Sequence, residues 1–401
     1  MKVFFRTIHL YLSLIAGLVI MIACFTGAIL VFEKELQEAF NPGRYHVESL
    51  GERLPLDKLQ EIVKQEIPDA KISGIKIYKD PFRTVEVSYT AKKGKQEAKE
   101  KRAVVKPEDK KGDKKKEGAE RREPRKTAYV NPYTGQIVDL YDYRQTFFYD
   151  VFALHRWLLG GNDGIGKFIV GVSTFIFLFI LLTGIILWWP RTKAILLQRL
   201  KIKTDGSWKR LNNDFHIVLG FYTAIFLFIF AFTGLSWSFK WFNKGIGVVT
   251  NSNMEARENP PASQLINGSK TSVEDVYEVI NRFIPEASAF NISLPKDSLA
   301  VFSVSVNTKK ETESDQYFID QYSGKIVGKQ LFADRNLGQK VRAKIKPVHT
   351  GSIFGAYSKI IAFIACIVGT SLPVTGVILW INRIRKRKKI KKEDFVQMEV
   401  I

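Results

Sequence analysis

The chain contains four long apolar runs, and none of them includes a charged side chain. About 20 apolar residues are enough for a helix to cross the hydrocarbon core of a bilayer, and every run reaches this length. Each run therefore predicts a transmembrane helix, and the fold class that follows is a helical membrane protein with four spans. The first run is too long for a cleaved signal peptide, so we interpret it as an uncleaved anchor. The runs are Leu10–Phe32, Phe168–Trp189, Ile217–Phe239 and Ile360–Ile381.

The short segments that flank these runs predict their orientation. Lysine and arginine are concentrated before the first run, in residues 191–212 and in residues 383–401. In a four-span protein these three segments lie on one side of the membrane, and the positive-inside rule assigns that side to the cytoplasm. We therefore expect both termini in the cytoplasm and the two long segments on the opposite side.

The formal net charge of +21 would be compatible with nucleic acid, but its distribution argues against such a partner. The basic C-terminal tail suits the anionic lipids of the cytoplasmic leaflet. Residues 92–126 contain sixteen Lys or Arg against eight Asp or Glu, with no aromatic residue. A segment of this composition buries too little apolar surface to fold, so we predict a disordered surface insertion.

The chain also carries an internal repeat. Every apolar run has a Thr-Gly pair near its far end, and the interval from His9 to the first pair equals the interval from His216 to the third. We interpret residues 1–190 and 208–382 as two copies of one unit, made of a helix, an external domain, a histidine and a second helix. The threonines of the four pairs are Thr26, Thr183, Thr233 and Thr375.

The two external segments resemble each other as well. Helix-like stretches at Leu56–Glu66 and Ser272–Phe283 are each followed by an alternating run and then by two strand-like runs around a turn. Gly135 and Gly324 occupy the turns, which is typical of β-hairpins. Each segment therefore predicts a small α+β module with antiparallel strands. The alternating runs are Arg83–Tyr89 and Ala300–Val306.

Several motifs within this pattern resemble a known family. The turns Asn131-Pro-Tyr-Thr-Gly135 and Asp320-Gln-Tyr-Ser-Gly324 resemble those of PepSY domains. Leu154-His-Arg-Trp157, Asp214-Phe-His216 and Pro347-Val-His-Thr-Gly-Ser352, together with the Thr-Gly helix ends, resemble the PepSY-associated transmembrane family. The resemblance covers nearly the whole chain. It implies a bacterial inner-membrane protein with two periplasmic PepSY-like modules, in a family that includes haem-containing ferric-siderophore reductases.

The predicted organisation follows the chain from one span to the next. Its segments are the first span at 1–33, the first module at 34–150 with its insertion at 92–126, the second span with its preceding segment at 151–190, a cytoplasmic loop at 191–212, the third span at 213–240, the second module at 241–345, the fourth span with its preceding segment at 346–382, and the tail at 383–401.

Four of the five histidines lie close to the predicted spans. His9 and His216 share the cytoplasmic level, whereas His155 and His349 share the periplasmic level. One imidazole from each of two helices matches the axial ligation of a b-type haem, so we predict two haem b groups held by these two pairs. His155 and His349 come well before the apolar runs that follow them. Either the helices extend beyond the bilayer, or the loops fold back. We interpret His46 as a surface residue.

Three arginines lie near these histidines in the sequence. Guanidinium groups match carboxylates well, so Arg6, Arg156 and Arg210 are predicted to bind the haem propionates. Headgroup contacts and the positive-inside bias are the alternative for each arginine, and the sequence alone favours this alternative. Room for a flat macrocycle is expected beside the small residues one or two turns further on, namely Ser13, Gly17 and Gly220.

The leading functional interpretation is an electron-transfer protein, an oxidoreductase that resembles ferric-siderophore reductases. It would reduce a ferric siderophore or another ferric chelate in the periplasm, with electrons from a quinol or a separate cytoplasmic donor. Residues 161–167 fit only the first part of a phosphate-binding loop and follow no strand, so we predict no nucleotide site. The alternative is a non-redox scaffold or a regulator of a periplasmic peptidase. A permease is disfavoured because the spans lack ionisable carboxylates and basic residues.

Overall fold

The computed structural model describes residues 1–91, 124–252, 260–264, 270–307 and 313–399, with side chains as far as Lys386. Most of the predicted insertion at 92–126 lies outside the described residues. The chain forms two compact units. A helical unit contains residues 1–36, 146–256 and 336–401, and a sheet unit contains residues 37–145 and 257–335.

Four helices in the described part of the chain are long and apolar enough to cross a membrane, as the sequence predicts. They are α1 (Lys2–Val31), α6 (Ile165–Trp188), α8 and α9 (Trp208–Asp214 and Gly220–Ser238, joined by a π-turn) and α13 (Ala356–Glu399). The π-helical turn of the third span covers Phe215–Leu219, and turns of this kind occur preferentially at functional sites. α1 packs against α6 and α13.

Shorter helices precede the second and fourth spans. α5 (Phe147–Trp157) packs against α1 and α6, and α12 (Leu337–His349) packs against α9. Each is separated from the following span by a turn, so the structure has the folded-back loops that were one of the two alternatives. The remaining short helices of the helical unit are α7 (Lys193–Arg199) and α10 (Lys240–Val249).

The turn after α5 depends on glycine. Leu158 and Leu159 have φ angles of 49° and 65°, which are strained for side chains of this kind. A Cβ atom on Gly166 would lie 2.0 Å from the Trp157 carbonyl oxygen, and one on Gly164 would lie 2.2 Å from the Gly160 carbonyl oxygen. The glycines of the stretch that partly resembles a phosphate-binding loop therefore allow the close reversal between α5 and α6.

Among the residues that the structure describes, the sheet unit contains one antiparallel sheet of eight strands. The strands are β1 (Lys71–Tyr78), β2 (Val85–Thr90), β3 (Lys126–Val130), β4 (Ile137–Tyr141), β5 (Ala289–Ser293), β6 (Phe302–Asn307), β7 (Asp315–Ile319) and β8 (Ile326–Gln330). Their order in the sheet is β4-β3-β2-β1-β5-β6-β7-β8. The strands of each external segment are adjacent, and β1 pairs with β5 in the centre. The two predicted modules therefore share one sheet.

Two equivalent helices pack on this sheet and share its core. The predicted helix at Leu56–Glu66 is α4, and the second is α11 (Val273–Phe283). Their apolar faces bury side chains such as Leu59 and Ile280 against Ile75 and Phe290 of the central strands. Two short helices, α2 (Glu33–Phe40) and α3 (Pro42–Tyr45), precede α4 in the chain.

The first turns of α4 and α11 cap each other. The carboxylate of Asp57, near the start of α4, accepts hydrogen bonds from the backbone nitrogens of Val273 and Glu274 at 3.0 Å. Glu274 in turn accepts a 2.6 Å hydrogen bond from the backbone nitrogen of Leu56 and binds Arg53. Unpaired N–H groups at helix starts favour such carboxylates. These contacts and the β1–β5 pairing join the two halves of the sheet unit.

Both predicted hairpin turns are present. Gly135 has a φ of 75° and Gly324 a φ of 66°, the left-handed conformation that favours glycine. Asn131 accepts hydrogen bonds from the backbone of the first turn. Asp320 does the same in the second turn, from the nitrogens of Tyr322 and Ser323 at 3.0 and 2.7 Å. The shared motif therefore has a shared local structure.

Candidate functional site

The four histidines near the spans form two facing pairs in the helical unit. The first histidine pair is His9 of α1 and His216 of the π-turn, with ring centroids 6.5 Å apart and rings perpendicular at 90°. The second histidine pair is His155 of α5 and His349 of α12, with centroids 6.2 Å apart and an angle of 64°. The structure therefore brings together the pairs expected from their levels. All four histidines are half-buried residues.

Each ring is held through Nδ1 by a Thr-Gly pair on a neighbouring helix. The Nδ1 atoms lie 2.9–3.1 Å from the threonine hydroxyl oxygens. For three of the rings Nδ1 also lies 3.0 or 3.1 Å from the carbonyl oxygen of the residue one helical turn before that threonine. The contacts join His9 to Thr183, His155 to Thr26, His216 to Thr375 and His349 to Thr233.

The glycine of each Thr-Gly pair allows the ring to lie close to the helix backbone. A Cβ atom on Gly27 or Gly184 would be 3.4 Å from Cε1 of the bound ring, and the corresponding distances are 3.2 Å at Gly234 and 3.3 Å at Gly376. The distances at Gly234 and Gly376 are tighter than ordinary carbon contacts of about 3.5–4.0 Å, whereas those at Gly27 and Gly184 are at the limit of ordinary contact. A larger residue at Gly234 or Gly376 would therefore press on the imidazole.

Nδ1 of every ring has a protein partner, which leaves Nε2 as the nitrogen for a metal ligand. Within the described part of the chain we find no hydrogen bond from Nε2 of any of the four histidines. A metal ion held between two imidazoles at bonds of about 2 Å would place the ring centroids roughly 6 Å apart. Both pairs meet this spacing, with 6.5 and 6.2 Å. Two imidazoles supply the two axial ligands of an iron whose remaining ligands come from a macrocycle.

A cavity of about 360 Å³ opens beside the first histidine pair. This volume lies within the range of about 300–1,000 Å³ that is usual for small-molecule sites. The cavity is lined mainly by apolar side chains of the spans and by both histidines. Ser13, Gly17 and Gly220 also line it, in agreement with the space predicted beside them.

The arginines occupy three different settings. Arg6 lines the cavity of the first pair, as do Arg199 and Arg383, which the sequence did not single out because neither is adjacent to a histidine in the chain. Arg199 also donates to the carbonyl oxygens of Leu187 and Trp188, at the end of α6. The wall of the cavity therefore combines several cationic groups, which favour an anionic substituent.

Arg210 and Arg156, unlike Arg6, are not among the residues that line this cavity. Arg210 forms a 2.8 Å ion pair with buried Asp214, so its guanidinium is already engaged by a carboxylate of the protein. Arg156 directly follows His155 in α5, and its guanidinium carbon lies 6.0 Å from the centroid of the Trp157 ring. The binding of propionates by any of the three stays a prediction, and the cavity lining favours Arg6 over Arg210.

A tryptophan lies near each histidine pair, whereas the fifth histidine lies elsewhere. Trp237 approaches His349 with ring centroids 5.1 Å apart. Trp188, the last residue of α6, is only 7% exposed and stacks on Phe221. His46 lies in the sheet unit, where Nε2 is 2.8 Å from Glu38. It is therefore paired locally, and neither histidine pair includes it.

The two pairs lie far apart along the spans. On α1, His9 belongs to the first pair, and Thr26 contacts the second pair through His155. The interval between these two positions of α1 corresponds to about 25 Å at a helical rise of about 1.5 Å per residue. The hydrocarbon core of a bilayer is about 30 Å thick. The pairs therefore lie near opposite ends of the bundle.

Fold and site together define a four-helix membrane protein with two histidine pairs and a separate antiparallel sheet unit. Residues 6–383 match the family described as the PepSY-associated TM region. The match covers most of the chain, so the protein belongs to this family. No curated protein matches the chain.

Proposed function

We propose that this protein is a membrane electron-transfer protein that holds two b-type haems and reduces a periplasmic ferric chelate. The observation that carries the proposal is the geometry of the two histidine pairs. In each pair the Nδ1 atoms are bound by the protein and the ring centroids are 6.5 or 6.2 Å apart, the separation that suits axial ligation of one iron.

The surroundings of the first pair also fit a haem. Small residues leave a cavity of about 360 Å³ beside His9 and His216, and most of its wall is apolar. Arg6, Arg199 and Arg383 lie in the same wall, where they would bind carboxylates. Near the second pair, Arg156 directly follows His155 in α5 and is the arginine that we propose for a propionate.

The residues of this chain would bind and orient the haem groups, and the haem groups would supply the redox chemistry. A haem iron with two imidazole ligands changes between ferric and ferrous states and so accepts and releases one electron. His9, His216, His155 and His349 would hold the haem iron, and the apolar side chains around the first pair would keep water away. Two sites about 25 Å apart on α1 would cover most of the bilayer thickness.

The substrate part of the proposal is a one-electron reduction of iron(III) to iron(II) within a chelate such as a siderophore. The electron would come from a quinol or a separate cytoplasmic protein. Iron(II) is bound less tightly by hard oxygen ligands, so the metal would be released. This substrate is supported by the resemblance to ferric-siderophore reductases. Electron transfer to a chelate also requires no acid–base residue, and the sequence offers no such catalytic group.

The proposal includes an orientation and an internal duplication. We place both termini in the cytoplasm of a bacterial inner membrane, with the first pair near the cytoplasm and the sheet unit in the periplasm, because the basic segments favour this arrangement. Support for the duplication comes from the same histidine-to-threonine contact in both halves and from the matching order of strands on each side of β1 and β5.

The test is the spectrum and haem content of the full chain purified from bacterial membranes. We expect b-type bands on reduction with dithionite and two haems per chain. His216→Ala and His349→Ala should each retain one haem. His46→Ala is the matched control, since it removes a histidine that belongs to neither pair, and it should retain two.

A colourless protein, or haem content unaffected by either pair variant, would contradict the proposal. It would favour the non-redox scaffold, in which the helices only anchor the sheet unit. If the unmutated chain held only one haem, the assignment of two sites would be wrong. The variant among His216→Ala and His349→Ala that still held this haem would then identify the pair that does not bind it.

A further inference from the structure

The threonines of the four Thr-Gly pairs share one contact that the family resemblance does not explain. All four histidines contact a threonine hydroxyl, although they come from four different helical segments. In every case the threonine lies on another helix. Threonines that served only their own helices would not all need to contact a histidine of another helix.

The hydroxyl hydrogen of each threonine is already used within its own helix. Thr183 Oγ1 donates to the carbonyl oxygen of Phe179 at 2.8 Å, and Thr26 Oγ1 donates to that of Ile22 at 2.7 Å. Thr233 and Thr375 make the same bond to the carbonyl of the preceding turn, at 2.7 and 3.1 Å. A hydroxyl has one hydrogen but two acceptor lone pairs. The threonine oxygen must therefore accept the hydrogen bond from the histidine.

The carbonyl oxygens that contact Nδ1 also indicate that Nδ1 is the donor. The carbonyl oxygens of Ile180, Ala23 and Phe230 contact three of the rings, and a carbonyl oxygen can only accept. Nδ1 faces acceptors alone, so it carries the hydrogen of the neutral ring. The lone pair is then on Nε2, the nitrogen through which the ring would bind a metal.

We propose that Thr26, Thr183, Thr233 and Thr375 are positioning residues that fix the Nδ1–H form of the four histidines and so direct the Nε2 lone pairs toward each other. Partners of a ligating histidine hold its orientation and raise its basicity. The statement about the tautomer stands on hydrogen bonding alone. Its effect on a bound iron rests on the proposed function.

Thr375 offers the sharpest test. Its hydroxyl makes the shortest of the four contacts, 2.9 Å to His216 Nδ1. The Leu372 carbonyl also interacts with His216, but no bond as close as those of the other three rings is found among the described residues. Thr375→Val preserves shape and removes the acceptor, whereas Thr375→Ser retains it. Thr370→Val is the matched control, because Thr370 lies on the same helix and its hydroxyl bonds the Cys366 carbonyl at 2.9 Å.

The first measurement does not require haem. The chain has five histidines, so the full chain labelled with ¹⁵N-histidine gives a spectrum simple enough to assign by single substitutions. With the protein kept reduced by dithionite, we expect four rings with hydrogen on Nδ1. Thr375→Val should move the Nδ1 signal of His216, Thr375→Ser should restore it, and Thr370→Val should leave it unchanged.

The second measurement is the reduction potential of the haem at the first pair. Loss of the acceptor makes the imidazole a weaker donor to ferric iron, so Thr375→Val should raise this potential and leave that of the second pair unchanged. Removal of such a partner also weakens metal binding by about 10- to 100-fold. A threonine that served only helix packing would lower stability without shifting the potential.

The outcomes separate this inference from the proposed function. A colourless protein with four Nδ1–H rings would overturn the haem proposal and leave the positioning role intact. Two bound haems with His216 signals and a potential unaffected by Thr375→Val would overturn the positioning role and leave the haem proposal intact.

Discussion

Replacement of Gly234 by alanine should weaken the second histidine site by a calculable amount. The added Cβ would lie 3.2 Å from His349 Cε1, and carbon atoms prefer separations of about 3.5–4.0 Å. The ring would therefore move by about 0.3–0.8 Å. Its Nδ1 is 3.1 Å from Thr233 Oγ1, so this hydrogen bond would stretch or break. Overpacking of this kind costs about 1–3 kcal/mol.

This free energy should be visible in haem binding. Each 1.4 kcal/mol corresponds to about a tenfold change in affinity, so the haem at the second pair should bind about 5- to 150-fold more weakly in Gly234→Ala. The assay is the transfer of haem from the purified protein to an acceptor protein of high affinity. The haem at the first pair serves as the internal reference and should leave at the unmutated rate.

Gly245→Ala is the control for this variant. Gly245 lies in α10, and a Cβ there would have no atom within 4 Å among the residues that the structure describes. Alanine is also favoured over glycine within a helix, so this variant should be as stable as the unmutated chain or slightly more stable. Equal haem transfer from Gly234→Ala and Gly245→Ala would refute the argument that Gly234 sets the position of His349.

Three further predictions concern topology, electron transfer and the sheet unit. Alkaline phosphatase inserted between residues 92 and 126 should be active, and fused after residue 392 it should be inactive; the opposite pattern would reverse the orientation. His349→Ala should still allow a quinol to reduce the haem of the first pair but should abolish reduction of a ferric chelate added on the far side, and undiminished chelate reduction would contradict series transfer. Burial raises the pKa of Asp320, but hydrogen bonds from the backbone of Ser323, Tyr322 and Gln264 outweigh this and hold it at about 2. Because this pKa is depressed from about 3.9 in an unfolded chain, the stabilisation from Asp320 should be complete above about pH 4 and lost as the pH falls toward 2. Thermal unfolding of the sheet unit should lose this acid dependence in Asp320→Asn.

The spans could be predicted from the sequence because length and hydropathy are local properties. The apolar run of the first span begins at Leu10, about two turns after the start of α1 at Lys2, and the predicted segment 1–33 includes both. The additional turns contain Lys2 and Arg6, which are polar enough to end a hydropathy run but do not end a helix. The predicted helix Leu56–Glu66 agrees with the structure, because its amphipathic spacing is also local.

The central strands of the sheet unit were missed for the opposite reason. β1 pairs with β5, although the whole of the second and third spans separates them in the chain. No turn joins the two strands, so nothing in either local sequence indicates the pairing. The hairpins at Gly135 and Gly324 were predicted because a glycine turn marks each of them.

The sequence was sufficient to predict the histidines of the site, but not the residues that contact them. The level of each histidine along the spans indicated which two rings would face each other. The spacing from His9 to Thr26 held a further signal, since it places Thr26 at the level of the opposite pair. That His155 would contact Thr26 depends on how α5 folds back against α1, and this is a tertiary contact.

The central claim is that each histidine pair holds a haem near opposite ends of the bundle. Pulsed electron paramagnetic resonance of the oxidised full chain tests it directly, because the dipolar coupling between two ferric low-spin centres reports their separation. We predict two such centres about 25 Å apart, from the helical rise between the levels of His9 and Thr26 on α1. The absence of low-spin haem signals, or a separation below about 15 Å, much shorter than this helical rise allows, would contradict the claim.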